Sequence, residues 1–369
     1  MGRIAPQARW AGSAAGRSGI PALDEVSEPV SALLDSFLAG RVADLIKLDP
    51  GLETIGIEIA EFVRASGKRL RPAFVYWGYR ATGAPHTEAV YWPAAAVELL
   101  HTFALIHDDV MDRSAARRGR PAVHESLAQV HRDEGLAGNP AWFGVGGAIL
   151  AGDLAFVWAD QLLNDADLDA AALDRARRLF TELRVEVMAG QYLDLRLSGM
   201  KRALEEDALR VALLKSGRYT VTRPLQLGAA IGVGDELLDA SLRAFGDAIG
   251  LAFQLRDDVL GLFGDPKTTG KGALSDLREG KRTVLMLRAL QLASPAERAV
   301  LSRALGNERL DEADANRARQ IVVDCGALDV VERLLASQHQ LARQALAPIP
   351  EPAKQALAAL ADLAAFRAV

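Results

Sequence analysis

Cysteine is nearly missing from this sequence: the 369 residues include one thiol, Cys325. No internal disulfide can form, so the hydrophobic core has to hold the fold, as is usual for proteins of the reducing cytoplasm. Aromatic residues make up only 6% of the chain, and basic residues are not in excess, since 43 Lys and Arg face 48 Asp and Glu. The net charge of −5 provides no basic field of the kind that nucleic acids require. We therefore expect a cytoplasmic protein that does not bind nucleic acid.

Long apolar runs are also scarce, and no segment is predicted to span a membrane. The longest uncharged stretch, residues 135–152, contains six glycines together with Asn139 and Pro140, and it predicts a loop leading into a buried helix. The first twenty residues carry three arginines and no acid, but they lack the apolar centre of a secretory signal. We expect residues 1–29 to form a disordered tail, and a transit peptide is the alternative interpretation.

Apolar residues recur three and four positions apart from about residue 30 onward, which is the spacing of one helix face. The residues from Leu33 to Leu45 and from Leu173 to Val187 are two examples. Alternating patterns typical of strands are rare. The sequence therefore predicts an all-α fold of ten or more helices, with residues 30–369 forming one large domain. Glycine and proline predict breaks between helices at residues 83–85, 135–140, 232–235, 264–272 and 348–352.

The strongest chemical signal is a group of acids at the end of an apolar helix, namely Asp108, Asp109 and Asp112. Asp108 and Asp112 are four residues apart, so their carboxylates project from the same helix face. Three carboxylates this close repel one another unless a cation lies between them, and oxygen ligands favour hard cations such as Mg²⁺. Taken alone, the same pattern also fits a solvated acidic helix face.

A second acidic pair weakens that alternative, because Gln254, Asp257 and Asp258 follow the spacing i, i+3, i+4 on another apolar helix. If the two helices face each other, their carboxylates line one cavity and can hold divalent ions against a polyphosphate. Basic residues beside glycines or at predicted helix ends offer counter-charges and a second, metal-free anion pocket. These basic residues are Lys68, Arg69, Arg71, Arg117, Arg118, Lys215, Lys271 and Lys281.

Seven short segments, in this order, are similar to the trans-polyprenyl diphosphate synthases, enzymes of the isoprenoid-synthase helical fold. They are SGKRLRP, HTFALIHDDVMD, RRGRPAVH, GQYLDL, KSG, FQLRDD and GKGALSDLREGK. The resemblance covers roughly residues 30 to 350 and implies one helical bundle around a central apolar cavity. It also implies a prenyltransferase that condenses isopentenyl diphosphate with an allylic diphosphate, using a cluster of about three Mg²⁺ ions. The family is usually homodimeric, so we expect a homodimer on that ground alone.

The same resemblance assigns an expected role to each motif residue. Asp108, Asp112 and Asp257 are expected to bind Mg²⁺ directly, with Asp109 and Asp258 beside them and Gln254 near the metal-bound water. The allylic diphosphate is expected to be held by Arg117, Gln191, Asp194, Lys215, Lys271 and Lys281. The pocket for isopentenyl diphosphate is expected to consist of Lys68, Arg71, His101 and Arg118. Ser216 and Tyr219 are expected to lie beside the reacting carbons.

The second motif departs from the family pattern, because Gly261 stands where a third aspartate is frequent. Product length is expected to depend on the residues just before Asp108. Ala104 lies beneath Asp108 and leaves room, whereas Phe103, displaced from Asp108 by about 140° around the helix, narrows the bottom of the cavity. This combination most resembles geranylgeranyl diphosphate synthases. Phe103 packing only between helices is the alternative, and farnesyl diphosphate or a longer product stays open.

Three other functions fit part of the pattern. A terpene cyclase shares the metal sites but needs no isopentenyl pocket, so Lys68 and Arg71 disfavour it. A metal-dependent phosphohydrolase would use the histidines near the first motif, His101, His107 and His124, yet Asp and Gln partners favour oxygen-binding cations. A non-catalytic partner subunit is expected to lack the metal-binding aspartates, whereas both pairs are present.

Overall fold

A computed structural model describes residues 18–65, 67–117, 119–200, 202–264 and 274–366. These residues are almost entirely helical, which confirms the predicted all-α fold. The helices are α1 (Pro21–Leu48), α2 (Glu53–Ala65), α3 (Leu70–Arg80), α4 (Tyr91–Met111), α5 (Val123–Asp133), α6 (Pro140–Asn164), α7 (Ala170–Gly199), α8 (Glu205–Val211), α9 (Arg223–Gly232), α10 (Glu236–Phe263), α11 (Ser275–Arg278), α12 (Val284–Leu292), α13 (Pro295–Ala304), α14 (Glu312–Asp324), α15 (Ala327–Ala345) and α16 (Ala353–Ala365).

Shorter elements connect some of these helices. Two 3₁₀ turns cover Pro50–Leu52 and Glu88–Val90, and a π-helical stretch, Ala212–Thr222, joins α8 to α9. After α4, β1 (Ala116–Arg117) pairs with β2 (Arg120–Pro121) in an antiparallel hairpin.

Side-chain caps explain where several helices begin. Asn139, Asp169 and Asp235 each accept a hydrogen bond from the backbone N–H three residues later, at the starts of α6, α7 and α10. Four of the predicted breaks lie between helices, as expected. The fifth, 264–272, falls mostly outside the described residues.

Helix α1 begins earlier than predicted. It starts at Pro21, so the assignment of residues 21–29 to a disordered tail is wrong. Leu23 and Val26 are fully buried, because α1 packs against α2, α3 and α4. Pro29 lies inside the helix and interrupts the local pattern from which a helix is predicted. Residues 1–17 of the predicted tail lie outside the described part of the chain.

The buried apolar residues form two clusters that share α10. The first contains Phe74, Leu100 and Phe180 and extends into the first half of α10. The second contains Leu255 and Leu335 and joins the second half of α10 to α12–α15. Because α10 contributes to both clusters, it connects the two parts of the core.

Two helical segments, Glu88–Met111 and Pro140–Asn164, are apolar and long enough to span a membrane, a test that core helices of soluble proteins also pass. The sequence pattern alone predicts no such segment. In Glu88–Met111, 72% of the most apolar window is buried inside the protein, as in a core helix. The corresponding share in Pro140–Asn164 is 33%. The predicted burial of α6 is correct for one face only: Ala148 and Trp158 are buried, whereas Trp142, Leu150 and Val157 are exposed.

Candidate active site

One cavity of ≈1210 Å³ brings the two acidic motifs together. Asp108 from α4 lines it, as do Gln254, Asp257 and Asp258 from α10. The rest of the lining comes mainly from the start of α3, from α7, from the π-helical stretch and from the end of α16. The fold thus places residues of both predicted acidic motifs on the wall of the same cavity.

Among the described residues, three side chains from different elements donate hydrogen bonds to Asp108. Its Oδ1 accepts from Gln191 Nε2 at 3.0 Å and from Lys215 Nζ at 3.2 Å, and its Oδ2 accepts from Arg117 at 3.1 Å. Lys215 also donates to Asp194 at 2.6 Å. Burial alone would lower the pKa of Lys215, but the carboxylates of Asp108 and Asp194 hold it above its ordinary value. Lys215 is therefore a charged donor at the centre of the first motif.

Gly190 allows the π-helical stretch to approach α7 this closely. A Cβ at Gly190 would overlap the backbone of Lys215, so a larger residue would force the two helices apart. The stretch has more residues per turn than an α-helix, a feature frequent at functional sites. Lys215, Ser216 and Tyr219 from this stretch all line the cavity.

Asp109 supports Arg117 rather than facing the cavity. Its Oδ1 accepts a hydrogen bond from Arg117 Nε at 2.7 Å, and its side chain is buried. Burial raises the pKa of Asp109, and the guanidinium of Arg117 opposes that rise. Arg117 in turn reaches Asp108, so Asp109 orients the cation that borders the site.

Asp112 pairs with Lys281, whose Nζ lies 3.1 Å from Asp112 Oδ2. The same Nζ lies 2.6 Å from Glu279 and 3.8 Å from Asp276. Burial would lower the pKa of Lys281, but the three carboxylates raise it well above its ordinary value. Sequence reasoning assigned no role to Asp276 or Glu279. Their spacing of three residues, just before Lys281, was the signal that could have identified them.

Asp258 is the most deeply buried acid of the second motif. Burial raises its pKa to about 8, the hydrogen bond from Gln254 Nε2 at 2.7 Å opposes that rise, and the charges of Asp276 and Asp257 add to it. Burial therefore favours the protonated form of Asp258, while Asp257 lines the cavity beside it.

The side chains present fit a magnesium ion that is shared with a substrate. The acidic motifs offer the cavity carboxylate and amide oxygens, and Oδ1 of Asp276 is buried with no hydrogen-bond partner in the described chain. Among the described residues, no three His, Cys, Asp or Glu side chains form a group that could hold a metal by themselves. Mg²⁺ commonly takes one or two carboxylates, retains waters and completes its shell with substrate phosphates. This donor set matches that mode better than a closed protein site.

The residues predicted to bind isopentenyl diphosphate line another part of the same cavity, next to Tyr219. Arg71 donates to Thr220 Oγ1 at 2.8 Å, and its guanidinium lies 4.7 Å from the centre of the Tyr219 ring. His101 Nδ1 lies 3.1 Å from the Tyr219 hydroxyl, and Lys68 lies at the cavity edge. Arg118 and Lys271 lie outside the described residues.

Of the two residues predicted to set product length, Ala104 lines the cavity and Phe103 does not. The centre of the Phe103 ring lies 4.7 Å from that of His107 and 5.0 Å from that of Phe156, between α4 and α6. The structure therefore favours the alternative, in which Phe103 packs between helices.

The histidines near the first motif do not converge on the cavity. His107 Nε2 lies 3.0 Å from the carbonyl oxygen of Ile149, on the α6 side of α4. Among His101, His107 and His124, only His101 lines the cavity. The arrangement therefore lacks the three-histidine centre that a phosphohydrolase would use.

Comparisons with known proteins agree with this geometry. A family model described as polyprenyl synthetase matches residues 55–322. The chain is 34% identical over 293 residues to the geranylfarnesyl diphosphate synthase of Aeropyrum pernix, covering 78% of this chain and 85% of that protein. It is 33% identical over 304 residues to the geranylgeranyl diphosphate synthase of Saccharolobus solfataricus, and the match covers 82% of this chain and 86% of that protein.

A solved structure is also similar over nearly the whole fold. It is the geranylgeranyl pyrophosphate synthase of Corynebacterium glutamicum, complexed with isoprenyl diphosphate and magnesium. The TM-score is 0.90 and the identity 37%, and the match covers 94% of this chain and 99% of that chain.

Proposed function

The chain belongs to the polyprenyl synthetase family, and from this premise we propose that it condenses isopentenyl diphosphate with an allylic diphosphate, head to tail and in trans geometry, to give geranylgeranyl diphosphate. The observation that carries the proposal is the meeting of Asp108, Asp257, Lys215 and Lys281 at one cavity. Ionisation of an allylic diphosphate requires acidic side chains that hold metal ions and basic side chains that bind the diphosphate. A product longer than geranylgeranyl diphosphate is the second candidate, because one relative is a geranylfarnesyl diphosphate synthase.

The first step is departure of the diphosphate from the allylic carbon. Arg117, Lys215 and Lys281 stabilise the negative charge that grows on the leaving oxygens as the C–O bond breaks. Asp108, Asp112 and Asp257 are the residues that would hold Mg²⁺. The ions, when bound, supply further positive charge to the leaving diphosphate.

The second step joins the two substrates. Lys68, Arg71 and His101 hold isopentenyl diphosphate so that its double bond faces the allylic cation. Tyr219, together with apolar residues such as Val187, excludes water from that cation. The new C–C bond forms from the double-bond electrons, and a proton is then lost to the departing diphosphate. No side-chain base is needed for this sequence of bond changes.

We also propose a cytoplasmic homodimer built on the exposed apolar faces of α6 and α7. On α6 the exposed residues include Leu150 and Val157, and on α7 they include Val185 and Tyr192. Helices α6 and α7 are in contact, and exposed apolar residues gathered on neighbouring helices indicate a protein–protein interface. A second copy of the chain can cover it through the same face, as in twofold symmetric dimers.

The decisive experiment supplies the purified protein with isopentenyl diphosphate and dimethylallyl, geranyl or farnesyl diphosphate, with and without Mg²⁺. The product alcohols are sized after dephosphorylation, and a C20 alcohol that requires Mg²⁺ is expected. Asp108→Asn and Asp257→Asn should each lower the rate by roughly 10²–10³. Asp174→Asn is the matched control, because Asp174 is exposed on α7 and pairs with Arg178.

Three outcomes would contradict the proposal. Hydrolysis without chain growth would favour a phosphohydrolase, and cyclic hydrocarbons would favour a terpene cyclase. Unchanged condensation after both Asp108→Asn and Asp257→Asn would show that the acidic motifs do not carry the reaction.

A further inference from the structure

Arg256 lies within the second acidic motif but points away from its metal-binding face. Its side chain is buried, and it does not line the cavity that Gln254 and Asp257 line. Its Nη1 and Nη2 donate to the two carboxylate oxygens of Glu332 on α15, at 2.9 and 3.0 Å. Its Nε donates to the backbone carbonyl of Ala365, at 3.0 Å. One guanidinium therefore ties α10 to both α15 and α16.

The bond to Ala365 is placed where a helix end needs a donor. The last carbonyls of an α-helix have no partner within the helix, and a positive charge near them is favourable. Ala365 is the final residue of α16, so Arg256 satisfies one of these carbonyls from a neighbouring helix. The position of the end of α16 is thus fixed relative to the second motif.

Residues on either side of Ala365 form part of the cavity wall. Leu363 and Phe366 both line it, although Phe366 is also partly exposed to solvent. The centre of the Phe366 ring lies 4.7 Å from that of His339, and the two rings meet edge to face. Helix α16 also packs against α3, whose first turn carries Arg71. Leu363 and Phe366 therefore line the same cavity as Asp257 of the second motif and Arg71 of the pocket expected to hold isopentenyl diphosphate.

We propose that Arg256 is a positioning residue: it holds the end of α16 so that Leu363 and Phe366 close the cavity beside isopentenyl diphosphate. Arg256 touches neither substrate nor metal and acts through Phe366. The inference rests on the proposed condensation reaction and extends it to a contact between the metal-binding helix and the second substrate. Loss of the contact moves the wall, which weakens binding of isopentenyl diphosphate and leaves ionisation of the allylic substrate intact.

The test compares steady-state kinetics of four variants with the full-length enzyme. Arg256→Met removes the donors but keeps the apolar stem, and Phe366→Ala removes the wall itself. Each should raise KM for isopentenyl diphosphate about tenfold while kcat and KM for the allylic substrate change less than about twofold. Arg256→Lys, which retains one charged donor, should restore most of the affinity. Glu332→Gln leaves the bond to Ala365 in place and should keep KM near the wild-type value.

A double-variant cycle separates positioning from general destabilisation. If Arg256 acts through Phe366, the combined variant Arg256→Met/Phe366→Ala should have a KM no higher than the larger single effect. Arg175→Met is the matched control, because Arg175 Nε donates to the carbonyl of Ala230 at 2.7 Å and links two helices elsewhere. It should leave KM for isopentenyl diphosphate unchanged.

An unchanged KM in folded Arg256→Met, or independent effects in the double variant, would overturn the positioning role alone. If Arg256→Met does not fold, the test rests on Phe366→Ala. An unchanged KM for isopentenyl diphosphate in Phe366→Ala then overturns the inference. A wild-type enzyme that does not condense the substrates would overturn the proposed function as well.

Discussion

The carboxylate of Asp276 lies against Gly261, in the space that any side chain at position 261 would occupy. Gly261 stands where the family frequently has a third aspartate, and here an acid from α11 fills that space instead. Asp276 also approaches Lys281, which pairs with Asp112 of the first motif. The glycine is therefore part of a contact chain that connects both acidic motifs.

Gly261→Ala should disturb this chain of contacts. The added methyl group overlaps Oδ2 of Asp276 and displaces that carboxylate, so we expect a several-fold higher half-saturating Mg²⁺ concentration and a lower kcat. Initial rates measured across a Mg²⁺ titration test this. Gly40→Ala in α1 is the control, since a Cβ there has no heavy atom within 4 Å. A Mg²⁺ dependence equal to that of the wild type would show that the Asp276 position is unimportant.

Glu186 should make stability depend on pH in the acidic range. Burial alone would raise its pKa, but the hydrogen bond from Arg223 and the charges of Arg223 and Arg218 lower it below the ordinary 4.5. Its contribution is therefore complete above pH 4.5 and is lost as the pH falls through the lowered value. Glu186→Gln should cost roughly 1–3 kcal/mol of unfolding free energy at pH 7 and much less in strong acid.

Denaturant unfolding of both proteins at several pH values measures this difference. Glu182→Gln is the control, because Glu182 contacts the same Arg223 at 2.8 Å but is 53% exposed, and exposed pairs contribute little. If Glu186→Gln lowers the free energy of unfolding by the same amount at pH 3 and at pH 7, the assigned ion pair is contradicted.

Ala104→Phe should shorten the product. Ala104 lines the cavity one helical turn before Asp108, so a ring at that position fills space that the growing chain needs. We expect farnesyl diphosphate or a shorter product, measured as the chain length of the dephosphorylated alcohols. Phe103→Ala should shift the product less, because the Phe103 ring faces His107 and Phe156. A larger shift in Phe103→Ala, towards longer chains, would restore Phe103 as the main length determinant.

Val157→Arg should separate the proposed dimer into monomers. Val157 is 59% exposed on the apolar face of α6, and burying an unpaired guanidinium in a twofold interface is costly. Light scattering after gel filtration should give half the wild-type mass. Leu48→Arg is the control, since Leu48 is 78% exposed at the end of α1, a helix that does not contribute to the proposed face. An unchanged mass for Val157→Arg would place the interface elsewhere or rule out a dimer.

Local patterns predicted the all-α class, two helical segments and four of the breaks between helices. Helical spacing and punctuation by Gly and Pro depend on neighbouring residues, so they can be read without knowing the fold. The exceptions have specific causes. Pro29 lies inside α1 and interrupts the helical pattern, so the first turns of α1 were not predicted. The apolar composition of α6 indicated burial on all sides, because the sequence alone does not show which face of a helix is left uncovered by its neighbours.

Within the site, sequence patterns identified the acids and cations but not how they pair. Lys281 pairs with Asp112 of the first motif, which lies far earlier in the chain, and the bond from Arg256 to Ala365 spans 109 positions. Contacts of this kind depend on tertiary packing. The direction of Phe103 was uncertain for the same reason, because a helix wheel gives angles relative to Asp108 but not the identity of the facing helix.

Two lysines that pair with the carboxylates of the first motif affect the order in which metal and substrate bind. Asp108 is bonded to Lys215 and Asp112 to Lys281, so a metal ion arriving alone must compete with both ammonium groups. A diphosphate that arrives with its metal gives the displaced lysines a new anion to bind, so neither ammonium group loses its counter-charge. Metal and allylic substrate are therefore expected to enter cooperatively, each raising the affinity for the other.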